Sequence, residues 1–471
     1  MPVNSFEHYP MSWKPDKNKL NKPLYKSIAE YLEQDIKNGI LRENDKLPPQ
    51  RELADYLDLN LSTITRAYKI CEMKGLIYAT TGRGSFVSAN VNSPATIIDN
   101  AEPSLIELGI VLPFIEHNSI ISSVAADILC RSDAESYFDY SNPLGSISQR
   151  RTAKKWLGKF NVKTKEENII ITAGAQNALA ITLVSLFKSG DKIITDRYTF
   201  ANFVSLANML NIQLISVDGD EHGMLPDKLE SVCKNNQIRG IYLMPTCNNP
   251  NNIIMNNERR KEIADIVGKY HLIMIEDDIY AFLSQEQYLP MVNLIPNQTV
   301  YISGVSKSIC AGIRVAYICF PDSFRAVLEQ GLYNLNLKTS SLNIEIVTEI
   351  INKRLDEDLI HKKRNLAIER NDLYLKYFPF YPGTFHKTSY YQWLLLPDDC
   401  SGRLFEAQAE SNGIKVYGAE RFCVGEVSHA NAIRVATSSP QNMDELEKGL
   451  TILKKIYDSH TDITHKSQLI V

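Results

Sequence analysis

At 471 residues the chain is longer than one hydrophobic core usually serves, so two domains, one of them large, are expected. With 44% hydrophobic and 23% charged residues and no apolar run of 18 or more, the composition excludes a membrane-spanning or disordered protein and predicts a soluble, cytoplasmic one. A net charge of -4 excludes a wholly basic nucleic-acid binder, yet leaves room for a small binding head with its cations on one side. Residues 1–22 mix Pro, Lys, Asn and aromatics without an apolar segment and read as a flexible leader rather than a secretory signal. The eight cysteines form no Cys-x-x-Cys pair and the nine histidines no i, i+4 pair, so the thiols read as reduced and no metal site is expected.

Residues 23–90 carry the first domain. Leu24, Ile28, Tyr31, Leu32 and Ile36 recur at helical spacing up to Gly39, a residue suited to a C-cap. A second helix is predicted over Lys46–Leu57, opening on two prolines and aligning Leu53, Ala54 and Leu57. After a short polar turn a third starts at Ser62 as N-cap and buries Ile64, Ala67, Tyr68 and Cys71. Leu76–Thr80 and Ser85–Ser88 flank the glycine turn Thr81-Gly-Arg-Gly84 as a hairpin, which completes a winged helix-turn-helix. The domain holds nine basic and nine acidic residues, but Arg51, Arg66, Lys69, Lys74 and Arg83 fall on the start of helix two, the third helix and the wing, where they can meet phosphates.

The order Leu-Pro-x-x-Arg-Glu-Leu-Ala, Thr-x-x-x-Ala-Tyr and Gly-x-Gly-x-Phe-Val resembles the GntR family of bacterial regulators. That resemblance implies a double-stranded DNA operator as partner, contacted by Arg51, Ser62, Thr63, Thr65, Arg66 and Arg83. Many relatives carry Ser or Thr followed by Arg before the recognition helix; Asn60 and Leu61 stand here, so one phosphate or guanine contact is missing.

Prolines and small polar residues over 91–103 mark a linker to a larger domain, residues 104–460, followed by a tail, 461–471. In the larger domain seven short apolar runs begin at Ile169, Lys192, Gln213, Gly240, Leu272, Val300 and Val315, alternating with helical patterns. They predict an α/β fold with a mostly parallel sheet, whose ligands bind beyond the carboxyl ends of the strands. The polar residues there form one set. Gly174, Ala175 and Gln176 open a helix whose N-terminus suits a phosphate. Asn249, Asp277, Tyr280, Ser306, Lys307 and Arg314 follow the later strands.

Pyridoxal 5'-phosphate requires this combination: an amine to form an imine, a carboxylate to keep the ring nitrogen protonated, and cations for the phosphate. Lys307 is the predicted imine lysine, Asp277 the partner of the ring nitrogen, Asn249 and Tyr280 those of the ring oxygen, and Ser306 with Arg314 the phosphate anchors. From Leu105 to Tyr457 the domain resembles fold-type I aminotransferases, which implies a smaller C-terminal α+β subdomain. The resemblance also implies that Tyr140 reaches the phosphate of a neighbouring subunit, Phe200 stacks on the ring, and Arg434 grips an α-carboxylate as a bidentate pair. Two positions depart from it. Gly304 replaces the usual Ser or Thr three residues before the lysine, so backbone N–H groups or Ser303 are expected to substitute, and Asn249-Pro-Asn-Asn252 replaces Asn-Pro-Thr-Gly.

A GntR-like head on an aminotransferase-like body resembles the MocR/GabR family of regulators. The resemblance implies a head-to-tail homodimer and an amino acid or amine effector sensed by exchange at Lys307. In the GabR type a second arginine helps hold the effector; Asn202 stands at that position, which implies a different effector. Two other functions stay open: a working aminotransferase with an accessory DNA-binding domain, and a winged-helix adaptor that binds protein and keeps the cofactor for structure.

Overall fold

The computed structural model describes residues 11–42, 45–73, 76–80, 83–87, 105–379, 384–397, 400–425 and 431–468. In the head, α1 (Leu24–Lys37), α2 (Gln50–Leu57) and α3 (Leu61–Met73) precede the antiparallel wing of β1 (Ile77–Thr80) and β2 (Gly84–Val87). The helices bury Ile28, Leu32 and Ile36, Leu53, Ala54 and Leu57, and Ile64, Ala67, Tyr68 and Cys71 in one core, as their spacing predicts. Gly39 sits at φ +73 past the end of α1, a left-handed conformation that glycine adopts without strain.

Two boundaries differ from expectation. Helix two begins at Gln50, because Lys46 and Leu47 add to the wing: Lys46 bridges Phe86, and Leu47 N–H donates to the Ser85 carbonyl at 2.8 Å. Pro48 and Pro49 then turn the chain, and the buried Tyr68 hydroxyl holds that turn by donating to the Pro48 carbonyl at 2.8 Å. Helix three begins at Leu61, so Ser62 lies inside its first turn and is not the cap.

The leader reading is corrected over residues 11–22. Trp13 is 3% exposed in the head core, its indole N–H donates to Asp35 Oδ2 at 2.8 Å, and Met11 and Leu20 pack beside it. A large apolar ring with a satisfied N–H gains more from burial than an open coil retains in entropy. Trp13→Ala is expected to cost the head about 3–5 kcal/mol. The measurement is amide exchange across α1 in the full chain; protection equal to the wild type's would refute a stabilising role for the packed Trp13. The predicted linker, 91–103, lies outside the described residues. The predicted tail is corrected over residues 461–468, into which the last helix, Met443–Gln468, continues.

In the body, β3 (Ile169–Thr172), β4 (Lys192–Asp196), β5 (Gln213–Val217), β6 (Gly240–Leu243), β7 (Ile273–Asp277), β8 (Thr299–Gly304) and β9 (Ala316–Cys319) form one sheet. The strand order is β3-β9-β8-β7-β6-β4-β5, and β9 alone among them pairs antiparallel, with β8 and β3. β7 and β8 are buried along their whole length, as expected of central strands covered on both faces. Beyond the sheet a smaller unit builds its own core around an antiparallel sheet in which Ala432–Val435 lies between Gln392–Leu395 and Tyr417–Gly418.

Candidate functional site

The end of β7 carries three acids in succession, and their partners tell them apart. Glu276 accepts the N–H groups of Met291 and Val292 at 2.9 and 2.8 Å, and so fastens a turn. Asp278 accepts the Tyr301 hydroxyl at 3.0 Å. Asp277, 1% exposed, accepts the Tyr242 hydroxyl on Oδ2 at 2.8 Å, while its Oδ1 is buried with no hydrogen-bond partner. Burial pushes this carboxyl up to about 7, against the opposing bond from Tyr242. Tyr242 is itself fixed by a parallel stack on Phe203 with ring centroids 3.7 Å apart. An orphaned buried acceptor of this kind costs free energy until a donor meets it, and a protonated ring nitrogen is such a donor.

Past β8, Lys307 is partly buried and its amine donates to the Val111 carbonyl. The Tyr390 hydroxyl holds the lysine's own carbonyl at 3.2 Å. Burial first, then the positive charges of Arg434, Arg314 and Lys363, push the Lys307 amine down to about 7. Lys363 was not legible in the sequence; it is buried on the helix Leu355–Tyr377 and donates to the Ile309 carbonyl at 2.7 Å.

An open helix N-terminus and a guanidinium meet beyond the ends of β3 and β8. Gly174 (φ +89) leads into α4 (Ala175–Leu186) with no side-chain cap, so the N–H groups of Ala175 and Gln176 head an open helix end. Arg314, at φ +49, donates to Ser306 Oγ at 2.9 Å, and a Cβ on Gly174 would collide with its guanidinium. Glycine is therefore required at 174 by both backbone and space.

The expected substitution by Ser303 is corrected. Successive residues of a strand face opposite sides, and Ser303 Oγ is buried where it accepts the Trp156 indole N–H at 3.0 Å. A Cβ on Gly304 would lie 3.4 Å from Ile279 and 3.6 Å from Ala175, ordinary contact distances. Gly304→Ser should fit, and a hydroxyl there should tighten pyridoxal phosphate binding by about 1 kcal/mol; titration by cofactor absorbance reads the change.

Arg434 occupies the middle strand of the smaller sheet, directly between Trp393 and Tyr417. It is buried; its Nη1 donates to Asn249 Oδ1 and its Nη2 to the Gly109 carbonyl, both at 2.6 Å, while Nε has no partner. Its guanidinium carbon lies 4.6 Å from the Phe422 ring centroid. Gly109 and Val111 belong to one segment crossing the site, which Ser438 also holds through the Leu112 carbonyl at 2.6 Å. Sequence reasoning missed this segment, since its carbonyls carry no side-chain signature. The neighbouring Tyr280 is buried against Tyr391, 5.5 Å between centroids. Asn252 takes the place of the usual glycine at φ +63, a left-handed conformation asparagine tolerates, and its side-chain amide donates to the Tyr391 carbonyl at 3.2 Å.

Phe200 is half-buried at the start of the helix Ala201–Met209, and the Gln176 amide reaches the Asn202 carbonyl at 3.4 Å. Tyr140 is not brought into the cluster; it is 91% exposed on this chain. On the head, Arg51, Ser62, Thr65, Arg66 and Arg83 are exposed and Thr63 is half-buried. The Thr65 hydroxyl donates to Gln50 at 2.8 Å, which ties α3 to the start of α2. The described residues contain no helix long and apolar enough to cross a membrane.

Residues 24–87 match the gntR family of bacterial regulatory proteins, and residues 108–447 match aminotransferase class I and II. A Bacillus subtilis HTH-type transcriptional regulator, YdeF, is 41% identical over 98% of this chain and 100% of its own. The Staphylococcus aureus HTH-type transcriptional regulator NorG is 25% identical, covering 70% of this chain and 80% of its own. Among solved structures, a kynurenine aminotransferase of Pyrococcus horikoshii shares the fold of the body, with a TM-score of 0.70 at 23% identity over 76% of this chain and 91% of that one. The chain thus belongs to the MocR/GabR-type family of transcriptional regulators, which join a DNA-binding GntR winged helix-turn-helix to a class I and II aminotransferase domain that takes pyridoxal phosphate.

Proposed function

We propose that this regulator senses an amino acid or related amine at Lys307 and conveys its presence to the DNA-binding head. Pyridoxal phosphate fits the residues present, with Asp277 Oδ1 for its ring nitrogen and Ser306, Arg314 and the N–H groups of Ala175 and Gln176 for its phosphate. Asn249 and Tyr280 flank the ring oxygen, Phe200 covers the ring, and Tyr140 reaches across a dimer to the partner's phosphate. Bound there, the group supplies an electrophilic carbonyl conjugated to an electron-withdrawing ring. Lys307, with its amine lowered to about 7, is about half unprotonated at neutral pH and so offers a nucleophile to that carbonyl. Arg434 orients the effector by its carboxylate, and Asn202 faces the effector's far end.

One observation carries the sensing role. The two groups that a ligand engages, Lys307 and Arg434, are both tied to carbonyls of one segment, at Val111 and Gly109. An effector carboxylate competes with the Gly109 carbonyl for Arg434, and the freed segment is the chain that leads back to the wing. Differential contacts of this kind are what a ligand needs in order to shift an equilibrium between two arrangements. In the cytoplasm, a head-to-tail homodimer would present two such heads to two half-sites.

The test is footprinting on the gene's own upstream region, with the cofactor and a panel of amino acids and 2-oxo acids, beside a turnover assay. A changed footprint with a stalled spectral change is the expected result. Sustained turnover with an unchanged footprint would favour a working aminotransferase, for which Lys307, Asp277 and Arg434 are in place.

A further inference from the structure

We propose that a cavity beside this site, at the carboxyl ends of β4, β5 and β6, is a second small-molecule site that takes an organic cation, an ammonium group on an apolar or aromatic body. Its volume of about 550 Å³ lies in the range of small-ligand pockets. The walls offer acceptors in excess of donors. Arg197 is engaged by Asp218, and Arg259 by Asp220 at 3.0 Å. Asp196, which also lines the cavity, draws no hydrogen bond from any described residue.

A second, independent acceptor stands beside it. Asn248 is 4% exposed, and its amide nitrogen donates to the Tyr198 carbonyl at 2.9 Å and to Asn251 Oδ1 at 2.8 Å. Those two bonds fix which end of the amide is oxygen, and that oxygen is buried with no donor. An ammonium group supplies positive charge to Asp196 and, when it carries N–H, a donor to Asn248. Burial pushes the Asp196 carboxyl up to about 7, and a neighbouring cation favours its ionised form. The remaining wall is apolar, with Met244, Ile253, Met255 and Leu395 beside the aromatic pair Tyr198 and Trp393, whose ring centroids lie 5.5 Å apart at 52°, a surface suited to an alkylammonium.

The cavity is separate from the Lys307 site but shares a wall with it. In the loop Pro245–Asn252, Asn248 lines the cavity while Asn249 bonds Arg434 on the other side. The Tyr391 hydroxyl donates to the Asn248 carbonyl at 3.1 Å, and the Tyr391 ring lies 5.8 Å from the Arg434 guanidinium carbon. This inference stands whether or not the sensing role at Lys307 does.

The probe is benzyltrimethylammonium, which cannot condense with an aldehyde, titrated by calorimetry into the full-length protein loaded with pyridoxal phosphate. Saturable one-to-one binding is expected, at least about tenfold weaker in Asp196→Asn and lost in Ile253→Trp, which fills the cavity. No saturable binding, equal binding of neutral benzyl alcohol, or unchanged affinity in both cavity variants would each overturn the proposal.

Discussion

Lys307→Ala protein, soaked in pyridoxal phosphate and then desalted, is expected to come off the column colourless, retaining less than about a tenth of the cofactor that the wild type keeps. The phosphate cradle and Asp277 remain in the variant, so weak reversible binding should persist in the presence of excess cofactor. What is lost is the one bond that outlasts dilution. The wild type carries a second signature. With the amine at about 7, its unprotonated fraction grows from about a tenth at pH 6 to about nine tenths at pH 8 and then levels off. The rate of cofactor capture should therefore rise across that window and plateau above it. A rate still climbing at pH 10 would indicate an ordinary solvated lysine and remove the burial and cationic surroundings from the account.

Arg434→Lys is expected to keep the cofactor's absorbance and to weaken amino acid binding about 30- to 1000-fold, or about 2–4 kcal/mol. Lysine retains the charge but not the planar fork that pairs two N–H groups with a carboxylate. It also gives up one of the bonds to Asn249 Oδ1 and the Gly109 carbonyl, so the crossing segment should loosen before any ligand arrives. A decarboxylated amine of the same side chain should bind both proteins alike. If the amino acid loses no affinity in the variant, Arg434 does not read the carboxylate, and the competition for Gly109 falls with it.

Much of the architecture was legible in the sequence because it rests on local pattern. Helical spacing named the buried faces of the three head helices, and seven short apolar runs named the seven sheet strands. The misreadings came from partners distant in sequence. Trp13 looked like part of a loose leader until Asp35 and the head core were placed around it. Lys46 and Leu47 read as helix until the wing was there to pair with them. Ser303 looked available until Trp156 claimed it.

The same division runs through the site. Sequence by itself determined the residue types at the strand ends, Lys307, Asp277, Asn249 and Arg314, because a parallel sheet delivers its chemistry wherever its strands stop. Only the tertiary structure decided which of three adjacent acids keeps an oxygen unpartnered, how burial and then the nearby cations lower Lys307, and that Lys307 and Arg434 hang on one backbone segment. Burial, carbonyl partners and electrostatic surroundings are properties of the folded space around a residue, and that space is assembled from residues far apart in the chain.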